Sequence, residues 1–124
     1  MPGYYELKRA TGSQFMFNLK AANHQVVLTS ETYTSKQAAL DGIESVRKNA
    51  ADDARFVRKT AKDDSPYFVL TAANGQVIGK SETYSSPESM EKGIAAVMKL
   101  AANAETVDHS ATMTAGSRMP SQDE

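Results

Sequence analysis

FNLKAANHQVVLTSE at residues 17–31 returns as FVLTAANGQVIGKSE at residues 68–82, so one motif is written twice at a spacing of about 51 residues. Extending that register without a gap pairs Tyr33 with Tyr84, Ser35 with Ser86, Gly42 with Gly93, Ile43 with Ile94 and Val46 with Val97. Upstream of the motif, Tyr5 and Leu7 alternate with Glu6 and Lys8. Thr11-Gly12-Ser13 then interrupts, and Phe15, Phe17 and Leu19 alternate with Met16, Asn18 and Lys20. This period of two predicts strand, turn, strand.

Asn74-Gly75, between Leu70 and Val77, is a hairpin signal of the type I′ kind, in which both central residues take positive φ. Asn23-His24 is expected to adopt the same turn at some steric cost. After the third strand, Ser35 and Ser86 stand where a helix N-cap belongs, and Pro87 follows at a first helical position that tolerates its missing N–H. Ala39, Leu40, Ile43 and Val46, and Met90, Ile94 and Val97, recur at helical spacing. Gly42 and Gly93 fall inside these helices at a cost of about 1 kcal/mol each relative to alanine, which calls for a packing reason such as close approach of the two helices or of helix to sheet.

Each repeat therefore reads strand, strand, strand, helix. The register also aligns Tyr4-Tyr5-Glu6 with Arg55-Phe56-Val57 and with Thr106-Val107-Asp108. The first-strand motif thus occurs three times. Its middle copy closes the first repeat and opens the second, and its last copy, around Glu105 to His109, is a short terminal strand.

The order and spacing of GYYELK, FMFNLKAANHQVVLTSETYTSK, a helix carrying GIESVRKNA, RFVRKTA, and FVLTAANGQVIGKSETY resemble the tandem form of the YegP-like family (UPF0339, DUF1508), over about residues 3 to 109. The resemblance implies an α+β fold in which duplicated β-β-β-α(-β) units form a single antiparallel sheet. Two helices pack on one face and the C-terminal strands are swapped between units. It implies no activity, cofactor or catalytic residue. Accordingly, residues 1–110 are expected to form one domain of two repeats, about 3–53 and 54–109, followed by a disordered tail at 111–124, where small and polar residues show no periodicity.

The chain has 124 residues, 40% hydrophobic and 23% charged. A half alone would bury too little apolar surface for secure stability, so the halves should share a core. A formal net charge of −1 gives no overall attraction to nucleic acid or anionic membrane. The absence of cysteine removes thiol chemistry and fits a reducing compartment. No apolar run is long enough to span a bilayer, and the N-terminus lacks the apolar core of a signal peptide. These features lead to an expectation of a soluble cytoplasmic protein, monomeric with internal pseudo-twofold symmetry.

No catalytic residue, cofactor or metal site is expected. His24 and His109 are isolated, and Asp52-Asp53 and Asp63-Asp64 lie in connections, where solvated turns are the simpler reading. Nucleophile elbow, phosphate loop and HExxH are all missing. Two candidate surfaces remain. Ser-Glu-Thr-Tyr occurs in both copies, so Glu31 and Tyr33, and Glu82 and Tyr84, form paired patches or line a pocket for a small molecule; the simpler reading has the tyrosines filling the gap between sheet and helix. Arg58, Lys59 and Lys62 with Tyr67 form a basic, aromatic surface on the open face of the sheet, a layout suited to single-stranded nucleic acid, although Asp52, Asp53, Asp63 and Asp64 flank it and oppose phosphate. The favoured expectation is a non-enzymatic interaction module for a protein or peptide partner, with an open sheet face or an unpaired edge strand as its binding element.

Overall fold

The computed structural model describes residues 3–110; the tail expected at 111–124 lies outside these. The elements are β1 (Tyr4–Ala10), β2 (Gln14–Lys20), β3 (Val26–Ser30), α1 (Lys36–Asn49), β4 (Phe56–Thr60), β5 (Pro66–Thr71), β6 (Val77–Lys80), α2 (Pro87–Ala101) and β7 (Glu105–Asp108). The seven strands form one sheet in the order β4-β5-β6-β3-β2-β1-β7. All neighbours are antiparallel except β1 and β7, which run parallel. The expected exchange of strands is present, since β4 leaves the first helix to pair with β5, and β7 leaves the second to pair with β1. The sheet departs from pure antiparallel pairing because β1 already occupies the place beside β2, so β7 must lie outside it.

Alternation assigns the faces. Tyr5, Phe17, Leu19, Leu28, Phe56, Phe68 and Leu70 pack with Ile43 and Val46 of α1 and with Met90, Ile94 and Val97 of α2 in one core. The helices begin as expected, with Ser35 Oγ accepting from Ala38 N at 3.0 Å and Ser86 Oγ from Ser89 N at 3.1 Å. At the centre of the sheet Thr29 pairs with Lys80 and Ser30 with Gly79. A Cβ on Gly79 would lie 2.8 Å from Leu28 Cγ, so the glycine gives the leucine its room.

The helical glycines have a specific cause. The rings of Tyr33 and Phe17 stack at 6.3 Å, and those of Tyr84 and Phe68 at 6.2 Å. Each tyrosine hydroxyl thereby reaches the helix above it. A Cβ on Gly42 would fall 2.5 Å from Tyr33 Oη, and one on Gly93 would fall closer still to Tyr84 Oη. The close approach is therefore tyrosine to helix, not helix to helix.

The hairpins differ from the type I′ expectation. In the β2–β3, β5–β6 and β4–β5 hairpins positive φ falls on one residue, His24 at 70°, Gly75 at 86° and Asp64 at 70°, whereas the β1–β2 connection has two, Gly12 at 70° and Ser13 at 65°. The N–H of His24, Gly75 or Asp64 donates back to Ala21, Ala72 or Ala61 at 2.8–3.0 Å. The preceding Asn23, Asn74 or Asp63 uses its side-chain oxygen to accept from the backbone N–H two residues on. This is a type I turn closed by one left-handed residue.

β7 is held mainly by polar contacts. The Arg47 guanidinium lies 4.8 Å over the Tyr5 ring and donates to Ala104 O at 2.7 Å and Thr106 Oγ1 at 3.1 Å. Lys36 Nζ meets Asp108 at 2.6 Å, and His109 N donates to Leu7 O at 2.7 Å. Burial pushes the Asp108 carboxyl up, but Lys36 and Ser110 outweigh it and hold it below the usual range. On the other face Glu6 lies 2.7 Å from Lys20 Nζ and 2.8 Å from His109 Nδ1. Lys20 first and His109 second depress the Glu6 pKa to about 2.

Two outcomes follow from these contacts. Gly42→Ala should lower unfolding free energy in urea by about 1 kcal/mol, overpacking outweighing the gain in helix propensity; in a Tyr33→Leu background the same change should stabilise. An alanine that stabilises in both backgrounds would exclude the tyrosine contact as the reason for glycine. Because Glu6 titrates lower folded than unfolded, its contribution is complete above about pH 4.5 and is lost as pH falls toward about 2. Glu6→Gln should cost about 1 kcal/mol at neutral pH, flatten the acid limb of the stability curve, and speed hydrogen exchange first in β7.

Candidate interaction surface

The face of the sheet away from the helices carries a row that crosses six strands: Glu6, Asn18, Thr29, Lys80, Val69 and Val57 are successive register partners. Asn18 Nδ2 donates to Thr29 Oγ1 at 2.9 Å within it. In the neighbouring row Lys59 stands opposite Tyr67. Lys80 Nζ sits 5.2 Å over the Tyr67 ring. Lys59, Tyr67 and Lys80 are thus brought together, and Lys80 is a member that the repeat comparison missed because its counterpart is Thr29.

Arg58 does not join them. Its Nε donates to Glu91 at 2.8 Å and its Nη2 to Asp53 at 3.0 Å. Strand alternation turns it away from Lys59 and toward α2, so the basic open-face patch expected from Arg58, Lys59, Lys62 and Tyr67 is not assembled. Glu91 first and Asp53 second raise the Arg58 pKa further, and Arg58 in turn holds Glu91 low. Lys62 is exposed in the β4–β5 turn beside Asp63 and Asp64.

The paired Ser-Glu-Thr-Tyr segments are strand endings. Ser30 Oγ accepts from Phe17 N at 2.9 Å and donates to Glu31 O, and Ser81 Oγ does the same with Phe68 N at 3.0 Å and Glu82 O. Glu31 and Glu82 are exposed. Burial first, then the adjacent glutamate, raises the pKa of Tyr33 and of Tyr84, so both phenols stay protonated. Since β3 and β6 are antiparallel, the two segments leave opposite ends of that pair, and a single pocket lined by Glu31, Tyr33, Glu82 and Tyr84 does not form. What exists is an open cleft of about 480 Å³ where Glu31, Thr32 and Tyr33 meet Gln76, Val77 and Ile78. Its lining lacks a nucleophile–base pair.

His24 Nδ1 is 2.8 Å from Tyr4 Oη, and among the described residues no three histidine or acidic side chains cluster as a metal site. No described helix is long and apolar enough to cross a membrane.

The two edges of the sheet differ most. Among the described residues β4 is terminal and pairs only with β5. Ala61 N donates to Ser65 O at 2.8 Å, which sets the ladder so that Val57 and Lys59 bond inward to β5. The backbone groups of Arg58 and Thr60 therefore point outward, as those of Leu7 do on β1, where β7 and His109 meet them; at Phe56 the N–H donates to Asp53 O and the C=O accepts from Arg58 Nη1 at 3.4 Å. Val57 is 40% exposed, the one large hydrophobic side chain so exposed among the described residues. It was overlooked in the sequence because its counterpart, Glu6, is polar.

Comparison with known proteins places this architecture. Residues 10–56 and 61–108 each match the family described as Domain of unknown function (DUF1508). A UPF0339 protein of Bordetella pertussis is 58% identical over 108 residues, covering 87% of this chain and 96% of that protein. The UPF0339 protein YegP of Yersinia pestis is 50% identical over 97 residues, covering 78% and 87%. The solution structure of a UPF0339 protein from Shewanella oneidensis superposes with a TM-score of 0.85 at 43% identity, covering 95% of this chain and all of that one. That of the E. coli protein of unknown function yegP gives 0.84 at 44%, covering 89% and 95%. With both repeats matched and the whole sheet shared, the chain belongs to the UPF0339 (DUF1508) family, as a tandem-repeat member.

Proposed function

We propose that this protein is a non-enzymatic interaction module, working in the cytoplasm as a monomer, that binds an extended segment of a partner protein by adding it as a strand to the outer edge of β4. The observation that carries this reading is the asymmetry of the edges. The internal repeat makes β1 and β4 equivalent, and among the described residues β1 has an outer strand whereas β4 has none. An uncovered strand with outward N–H and C=O groups is a template for pairing. Native edges that must stay bare are blunted by short length, charge or proline; β4 has lysine at 59 but leaves Val57 open. Nucleic acid is disfavoured because Arg58 is doubly ion-paired and Asp63 and Asp64 adjoin Lys62.

Val57→Lys and Thr60→Pro test the edge. Both sites are exposed, and the outward N–H of Thr60 takes no part in the ladder, so neither change should cost more than about 0.5 kcal/mol. Partner proteins recovered with the full chain from nuclease-treated lysate should be lost with either variant, and hydrogen exchange at Arg58 and Thr60 should slow when the partner is bound. Recovery that is unaffected by both variants, or that disappears with nuclease, would exclude the edge as the binding element.

A further inference from the structure

The two edges form a matched pair within one chain. At β1 the outer strand is β7, in parallel register: Glu105 opposite Tyr4, Thr106 opposite Tyr5, Val107 opposite Glu6 and Asp108 opposite Leu7, with His109 continuing to Leu7 O. Four side chains hold it: Arg47 to the carbonyl of Ala104, Lys36 to Asp108, Glu6 to His109, and Arg9 to Ser110 O at 3.2 Å. The repeat register replaces these at the β4 edge by Met98, Pro87, Val57 and Thr60. Every polar hook that fastens β7 is absent there. The position of Leu7 is taken by Arg58, already satisfied by Glu91 and Asp53.

The side chains that an outer strand would meet on the open face are then Val57 and, two residues on, Lys59, with Lys80 over Tyr67 behind them. Lys59 has no ion pair of its own among the described residues. Cross-strand neighbours are favourable when apolar meets apolar and opposite charges face one another. A lysine opposite a histidine, which a second copy of β7 would bring through His109, lacks that complement.

We infer that the β4 edge selects an extended segment of another protein, running parallel to β4, that bears an apolar β-branched residue opposite Val57 and a carboxylate two positions later opposite Lys59. This rests on β4 being the docking edge, and it adds direction and side-chain chemistry.

The probe is an acetylated, amidated peptide, Thr-Val-Thr-Val-Thr-Glu-Thr, titrated into the full chain and followed by backbone amide NMR, with a spin label at either peptide end. The expected result is perturbation confined to β4 and its flanks. The N-terminal label should broaden residues near Arg55 and the C-terminal label residues near Lys62. Lysine in place of the peptide's glutamate should weaken binding about threefold or more, and Lys59→Glu should reverse that preference. A peptide copying residues 104–110, standing for a second copy of this chain, should bind more weakly. Binding at β4 in the opposite direction, without charge preference, or equally well by the 104–110 peptide overturns this inference and leaves the edge reading intact. Absence of any β4 perturbation with every peptide, where Val57→Lys also leaves partner recovery unchanged, overturns both.

Discussion

The seam between β3 and β6 is the constraint on which the molecule depends. It is short, with Thr29 opposite Lys80 and Ser30 opposite Gly79, yet it alone joins two half-sheets into one surface long enough for both helices. The facing residues Thr29 and Lys80 are the same position of the repeat, so the pseudo-twofold axis passes between them, and beside it on the core face Leu28 and Gly79 are again one position of the repeat. Leu28 fills the space that a Cβ on Gly79 would need. Two leucines there would collide and two glycines would leave a void, each destabilising a dense interior. Fusion of the repeats allows one copy to be large and the other small, so the join is complementary instead of symmetric.

Away from the seam the halves remain near copies. Tyr33 on Phe17 and Tyr84 on Phe68 are the same contact twice, and each needs a glycine overhead. Divergence is concentrated at the periphery. Position 47 is an arginine that reaches β7 and position 98 a methionine; position 6 is an ion-paired glutamate and position 57 a bare valine. The first-repeat edge has become a polar latch for a strand of the same chain. Individually such exposed contacts are weak, and β7 depends on several of them acting together with backbone pairing.

Much of this was legible in the sequence, because a period of two, a period near 3.6 and a duplicated register each constrain independently. The seven strands and two helices follow from them, while the exchange of strands between units is what the family resemblance implies. What escaped depends on the third dimension. Arg58 and Lys59 are adjacent in sequence but point to opposite faces, so charge clustering along the chain overstated the basic patch. Asn-Gly fits more than one turn type, and only the conformation of its counterpart His24, the single left-handed residue of its turn, distinguishes them. The parallel course of β7 results from β1 already occupying the preferred site, which no local pattern encodes. The glycines at 42 and 93 signalled close packing, but naming tyrosine as the neighbour required knowing that Tyr33 and Tyr84 follow the strands on the same face as Phe17 and Phe68.

The pairing of β1 with β7 also bears on how the chain reaches this state during synthesis. Residues 4–7 are made about a hundred residues before their outer partners, residues 105–108. At roughly 5–20 residues per second the interval is several seconds, longer than a small domain commonly takes to fold. Through that interval β1 is an unguarded edge on a nascent half-sheet. Glu6 and Arg9, which later hold the segment that carries β7, already stand along it with Lys8 between them, and charge on an exposed edge discourages pairing with other chains. Glu6 and Arg9 therefore act first as protection and afterwards as attachment.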